Sequence, residues 1–158
     1  MKAASISEIK QELAKVPAKE LLALCLKMAK YKKESKELLS FLLFESDDVD
    51  QYVVAIKEEI DDSISEINTS NLYLIKKSLR KILRNTNKYI KYTSSDEVGA
   101  EVLIYFCNAV KSQGFKINRS TALQNLYSGQ IKKIHSLIKN LEEDLQHDFL
   151  KKTEGLEL

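Results

Sequence analysis

Glycine and proline are nearly absent, with four Gly and one Pro, Pro17, in 158 residues. A β-sandwich or barrel needs a turn about every 8–12 residues, and such turns draw on both residue types. That class is therefore excluded. Gly99, Gly114, Gly129 and Gly155 nowhere approach the spacing of a glycine loop that cradles phosphate. Two His and two Cys leave little for metal or nucleophile chemistry, and neither HExxH nor CxxC occurs. Charge of one sign is also missing. The 25 Lys and Arg face 23 Asp and Glu, a net charge of +2, so the chain projects no long-range field. No apolar run can span a bilayer, since the longest, Val98 to Val110, contains Glu101 and Asn108. The opening MKAASISEIKQEL turns charged at once and does not read as a leader. The expected location is the cytoplasm, with Cys25 and Cys107 as buried, reduced thiols inside apolar runs.

What is present is helical periodicity. Hydrophobic residues at 44% and charged residues at 30% are globular proportions rather than disordered ones. Ser5 and Glu8 form a capping box ahead of Ile6, Ile9 and Leu13, and Pro17 suits the first turn of a second helix reaching about Tyr31. Ser35 is the expected cap of a third helix, KELLSFLLF. Asp47, Asp48 and Asp50 favour the start of a fourth helix, which ends near Ile67. A fifth covers Leu72 to Tyr92. Ser94 and Glu97 open a sixth, which stops near Gly114. The last helical region is expected from about Arg119 to Lys152, broken or kinked at Gly129. No segment shows the period-2 alternation of a strand.

The expected fold is all-α, with six to eight antiparallel-packed helices in a single domain over residues 1–152 and a frayed tail over 153–158. AKELLALCL (18–26) and SKELLSFLL (35–43) share Lys, Glu, Leu, Leu and a final Leu at an offset of 17. That likeness favours a helical-hairpin array with HEAT-like curvature over a closed helical bundle. The sixth helix is apolar on nearly every face and is expected at the centre. Its Glu101 and Asn108 are expected at a solvent edge or bonded to a neighbouring helix. A heptad-like seam of Tyr127, Ile131, Ile134, Ile138, Leu141 and Leu145 fits a helix laid across the bundle, or a homodimer contact through the C-terminal helix.

One feature carries functional information. On the fifth helix Lys77, Lys81, Arg84, Lys88 and Lys91 fall within roughly 40° of one direction at about 100° per residue. Lys76 and Arg80 flank them, Tyr73 and Tyr92 lie near the same face, and no Asp or Glu occurs between Thr69 and Ser95. The stripe is about 21 Å long at 1.5 Å per residue. Its ordinary reading is a solvated face, or one offset by an acidic helix carrying Glu58, Glu59, Asp62 and Glu66. The functional expectation is a non-enzymatic interaction module. It binds an acidic partner protein through Tyr73, Lys77, Arg80, Lys81, Arg84, Lys88, Lys91 and Tyr92. The alternative is phosphate contact with nucleic acid on the same stripe, although no helix-turn-helix, zinc-finger or RNA-recognition pattern accompanies it. No cofactor, metal or membrane partner is expected. His135 and His147 are too few for a metal site, and the third reading is an enzyme or small-ligand binder with a pocket near Glu101, Asn108 or the histidines.

Overall fold

A computed structural model describes residues 2–156. It is all-helical, with eight α-helices and one 3-10 turn among the described residues and no strand. Backbone proximity divides the chain into two compact units, one ending at Glu45 and one beginning at Ser46.

The first unit holds α1 (Ile6–Leu13), α2 (Ala18–Tyr31) and α3 (Lys33–Phe44). The capping box at α1 is formed, the Glu8 N–H donating to Ser5 Oγ at 3.3 Å and the Ser5 N–H to Glu8 Oε2 at 2.7 Å. Pro17 is the N-cap of α2, and Lys32 alone joins α2 to α3. The third helix thus begins at Lys33, and Ser35 lies inside it rather than capping it. The KELL-bearing segments sit on these two successive, mutually packed helices. Two facing helices bury little. Phe41 is the only buried residue described in this unit, and Leu22, Met28, Leu43 and Phe44 remain exposed. Cys25 is exposed as well, contrary to the expectation from its apolar neighbours, because no further helix of its unit covers that side.

The second unit contains α4 (Val49–Ser65), α5 (Leu72–Thr93), α6 (Asp96–Ser112), the 3-10 turn Ile117–Arg119, α7 (Thr121–Ile138) and α8 (Glu143–Thr153). Side-chain caps set each of the first three starts: Asp48 accepts from Gln51 N–H, Asn71 from Leu74 N–H and Ser95 from Val98 N–H. The last differs from the expected cap by one residue. Ser94 instead ends α5 in the left-handed region at φ 51°.

Helix α6 is central. Nine of its residues, including Val102, Leu103, Phe106 and Cys107, are buried, and it packs against α4, α5, α7 and α8. Gly99 permits the close approach of two of these neighbours. A Cβ there would lie 3.0 Å from Leu137 Cδ1 and 3.3 Å from Ile90 Cγ2. The contacts of α2 with α3, α4 with α5 and α6 with α7 are compatible with successive hairpins. Glu101 ion-pairs with Lys57 of α4 at 2.6 Å, and Asn108 is exposed, the two positions expected of polar groups on this helix. Burial pushes the Cys107 thiol up to about 12.

The C-terminal region departs from expectation in two places. Gly129 neither breaks nor kinks anything; it sits exposed within α7, where Tyr127 and Ile134 on the opposite face hold the helix in place. The break falls at residues 139–142, where Gln146 Nε2 donates to the Leu141 carbonyl at 2.8 Å. The seam residues Tyr127, Ile134 and Ile138 are buried, and Ile131, Leu141 and Leu145 pack against the same core, so the seam faces inward rather than toward a second chain. Residues 153–156 are docked rather than frayed. Leu156 is 1% exposed, its carbonyl accepts from the buried Tyr127 hydroxyl at 2.9 Å, and Lys111 Nζ donates to the Gly155 carbonyl at 2.6 Å. The remaining tail positions, 157 and 158, lie outside the described residues.

Two measurements check this packing. Leu156→Ala will cost about 2–4 kcal/mol in denaturant unfolding, and Tyr127→Phe about 1–2 kcal/mol, because the Leu156 carbonyl loses its buried donor. A frayed end would leave both changes within about 0.5 kcal/mol of wild type. In the native protein a thiol reagent will titrate Cys25 rapidly and Cys107 only after denaturation. Equal protection of the two thiols would contradict the burial described.

Candidate partner-binding face on α5

The outer face of α5 follows from its inner one. Ile75, Leu79, Ile82, Leu83, Thr86 and Ile90 are buried, so the helix is held to the core along one side. Helical geometry then turns the cations toward solvent. Lys77, Arg80, Lys81, Arg84 and Lys91 are all exposed, as is Tyr73, whose ring lies 5.5 Å from Lys76 Nζ. Lys88 is half-buried, 4.8 Å from the Tyr89 ring centroid. Tyr92 is half-buried and meets Tyr89 edge-on at 6.4 Å. Of the residues expected to form the face, the structure thus presents Tyr73 and the five exposed cations outward. It turns Tyr92 and part of Lys88 toward Tyr89.

Five cations of the face form no ion pair with a carboxylate of the described residues. Ion pairs join Lys15 to Glu12, Lys33 to Glu37 and Lys57 to Glu101. None involves Lys77, Arg80, Lys81, Arg84 or Lys91. Helix α4 does pack beside α5, as the offsetting reading requires. Its acids meet α5 chiefly along one edge. There Glu59 and Glu66 share a cleft of about 180 Å³ with Lys81, Ser78, Asn85 and Thr86, and Glu59 accepts from the Tyr89 hydroxyl at 3.2 Å. Farther along α4, Asp61 accepts a short hydrogen bond from Tyr105 of α6. That bond, followed by burial and the Asp61 charge, raises the phenol to about 12.

The opposite edge of α5 is different. Arg80, Leu83, Arg84 and Asn87 face Ala122, Asn125, Leu126 and Gln130 of α7 across an open groove of about 530 Å³. No carboxylate lines it. Lys133 of α7 donates to Asn87 Oδ1 at its border, and burial lowers the pKa of that ammonium. Sequence reasoning had not reached α7, although a signal was available: residues 102–141 contain no Asp or Glu, just as 67–95 contain none. The first stretch holds α5, and the second runs from within α6 through α7, which packs against α5.

Within α5 the arrangement works against stability. Lys76–Arg80, Lys77–Lys81, Arg80–Arg84 and Arg84–Lys88 are like-charge pairs one turn apart. Each such pair destabilises an exposed helix by roughly 0.2–0.5 kcal/mol.

No group of three or more His, Cys, Asp or Glu that could hold a metal occurs among the described residues. His147 is exposed, His135 is half-buried on α7, and Glu101 is engaged by Lys57. No helix among the described residues is long and apolar enough to cross a membrane. In comparisons with known proteins, the chain matches no family model, no curated protein and no solved structure.

Proposed function

We propose that the protein is a non-enzymatic helical interaction module that binds an acidic partner protein through the exposed face of α5. The observation that supports this reading is the set Lys77, Arg80, Lys81, Arg84 and Lys91, exposed together and ion-paired to no carboxylate of the described chain. Cations spaced along about 21 Å of one rigid helix are pre-ordered for a multiply charged partner. Binding to an anionic surface would also relieve the like-charge pairs along the helix. Contacts of this kind raise association rates and are salt-dependent.

Nucleic acid is the second reading, and one observation favours it. Tyr73 is 64% exposed beside the cationic stripe, where a ring can stack on a base.

Fluorescence anisotropy separates the two. The probes are a labelled polyglutamate peptide and labelled single- and double-stranded DNA and RNA, each at low and physiological salt. The peptide is expected to bind saturably, more weakly at higher salt, and to lose binding in a Lys77, Lys81, Arg84, Lys88→Glu variant whose helicity is unaltered. Oligonucleotide binding without peptide binding would put the nucleic-acid reading in its place. Binding of neither at low salt would reject the face as a binding surface.

A further inference from the structure

The two edges of α5 are unlike, and this assigns the partner a position and a conformation. We propose that an extended acidic segment of the partner protein lies in the groove between α5 and α7, its carboxylates held by Arg80 and Arg84. The inference rests on the α5-face reading above and narrows it to one edge.

Charge selects the edge. On the α4 side Lys81 shares its cleft with Glu59 and Glu66, so an incoming carboxylate meets two others. On the α7 side the groove presents two guanidinium groups and no carboxylate. Arginine is the better residue there, since its planar fork takes a carboxylate through two parallel hydrogen bonds.

Spacing selects the conformation. Arg80 and Arg84 are four residues apart on a helix, about 6 Å along the axis. Alternate residues of an extended chain are about 6.4–6.8 Å apart and lie on the same side. An acidic residue at every second position therefore meets both arginines, and the intervening side chains point out of the groove.

The remaining lining suits a peptide better than a nucleic acid strand. Asn125 carries an amide that donates and accepts, as a peptide backbone requires, and Gln130 keeps an accepting oxygen while its Nε2 donates to the Leu126 carbonyl at 3.2 Å. Leu83, Ala122 and Leu126 give an apolar floor. No aromatic ring lines the groove, whereas single-stranded nucleic acid is held largely by stacking on such rings. Tyr89 and Tyr92 pack on each other, with the Tyr89 hydroxyl bonded to Glu59 on the α4 side.

The test compares two double variants that remove equal charge, one from the groove and one from cations of α5 outside it. A labelled peptide of alternating Asp and Gly is titrated against wild type, Arg80→Gln/Arg84→Gln and Lys77→Gln/Lys81→Gln, with a labelled oligo-dT of equal length alongside. Circular dichroism confirms that each variant is folded. The expected result is a loss of tenfold or more in peptide affinity for the arginine pair and threefold or less for the lysine pair. A third variant, Ala122→Glu, places a carboxylate in the groove without touching α5 and is expected to weaken the peptide comparably. Equal losses from both pairs would overturn the groove assignment and leave the α5 face standing. Tight oligo-dT binding with no peptide binding would overturn the peptide as occupant. No binding of either by wild type would overturn the groove and the reading beneath it together.

Discussion

Burial of α6 on all but the edge that carries Glu101 and Asn108 is the constraint on which the second unit depends. A helix with apolar residues all round is stable only when other helices enclose it. Here α4, α5, α7 and α8 do so, each contributing one apolar face. Once those faces are fixed inward, the outward direction of every other side chain is set by helical geometry. The cations of α5 are exposed because Ile75, Leu79, Ile82 and Ile90 are not. Gly99 belongs to the same constraint, since α5 and α7 both close on α6 at that point. The groove between α5 and α7 is thus a product of core packing, although its lining is polar.

Charge is sorted across the enclosing helices. Helix α4 carries Asp50, Glu58, Glu59, Asp61 and Asp62, and α8 with its N-cap carries Glu142, Glu143, Asp144 and Asp148. Helices α5 and α7 carry no acid at all. The near-neutral total therefore conceals a face of one sign. A net charge governs long-range steering, but a partner at contact distance feels only what lies within about a Debye length, roughly 8–10 Å. For this chain the local distribution of charge therefore differs from what the sum suggests.

Much of the fold was legible from local rules. The capping box at Ser5 and Glu8, the acidic start of α4, the turn before α5 and the positive φ of Gly114 all follow from short-range chemistry. The central position of α6 followed from its apolar breadth. The misreadings of Cys25, Gly129 and the tail share a cause, in that each depended on a partner distant in sequence, whereas the caps at Ser35 and Ser94 were misplaced locally. Cys25 lies in an apolar run, yet burial requires opposing helices, and its unit supplies few. Gly129 lowers helix propensity by only about 1 kcal/mol, which tertiary packing on the other face of α7 overrides. The docked tail rests on Tyr127 bonding to Leu156, 29 residues away, which no local pattern announces. The stripe on α5 was visible because its period lies within one helix. The groove was not, because it needs α7 placed beside α5.

The central claim is that the acid-free side formed by α5 and α7 receives a negatively charged partner. Titration of the isotopically labelled protein with an acidic peptide, followed by amide chemical-shift changes, tests it most directly. The account predicts saturable shifts concentrated at residues 80–87 and 122–133, with α8 and residues 2–45 unmoved. Shifts confined to α8 or to residues 2–45, or no saturable shift, would contradict it.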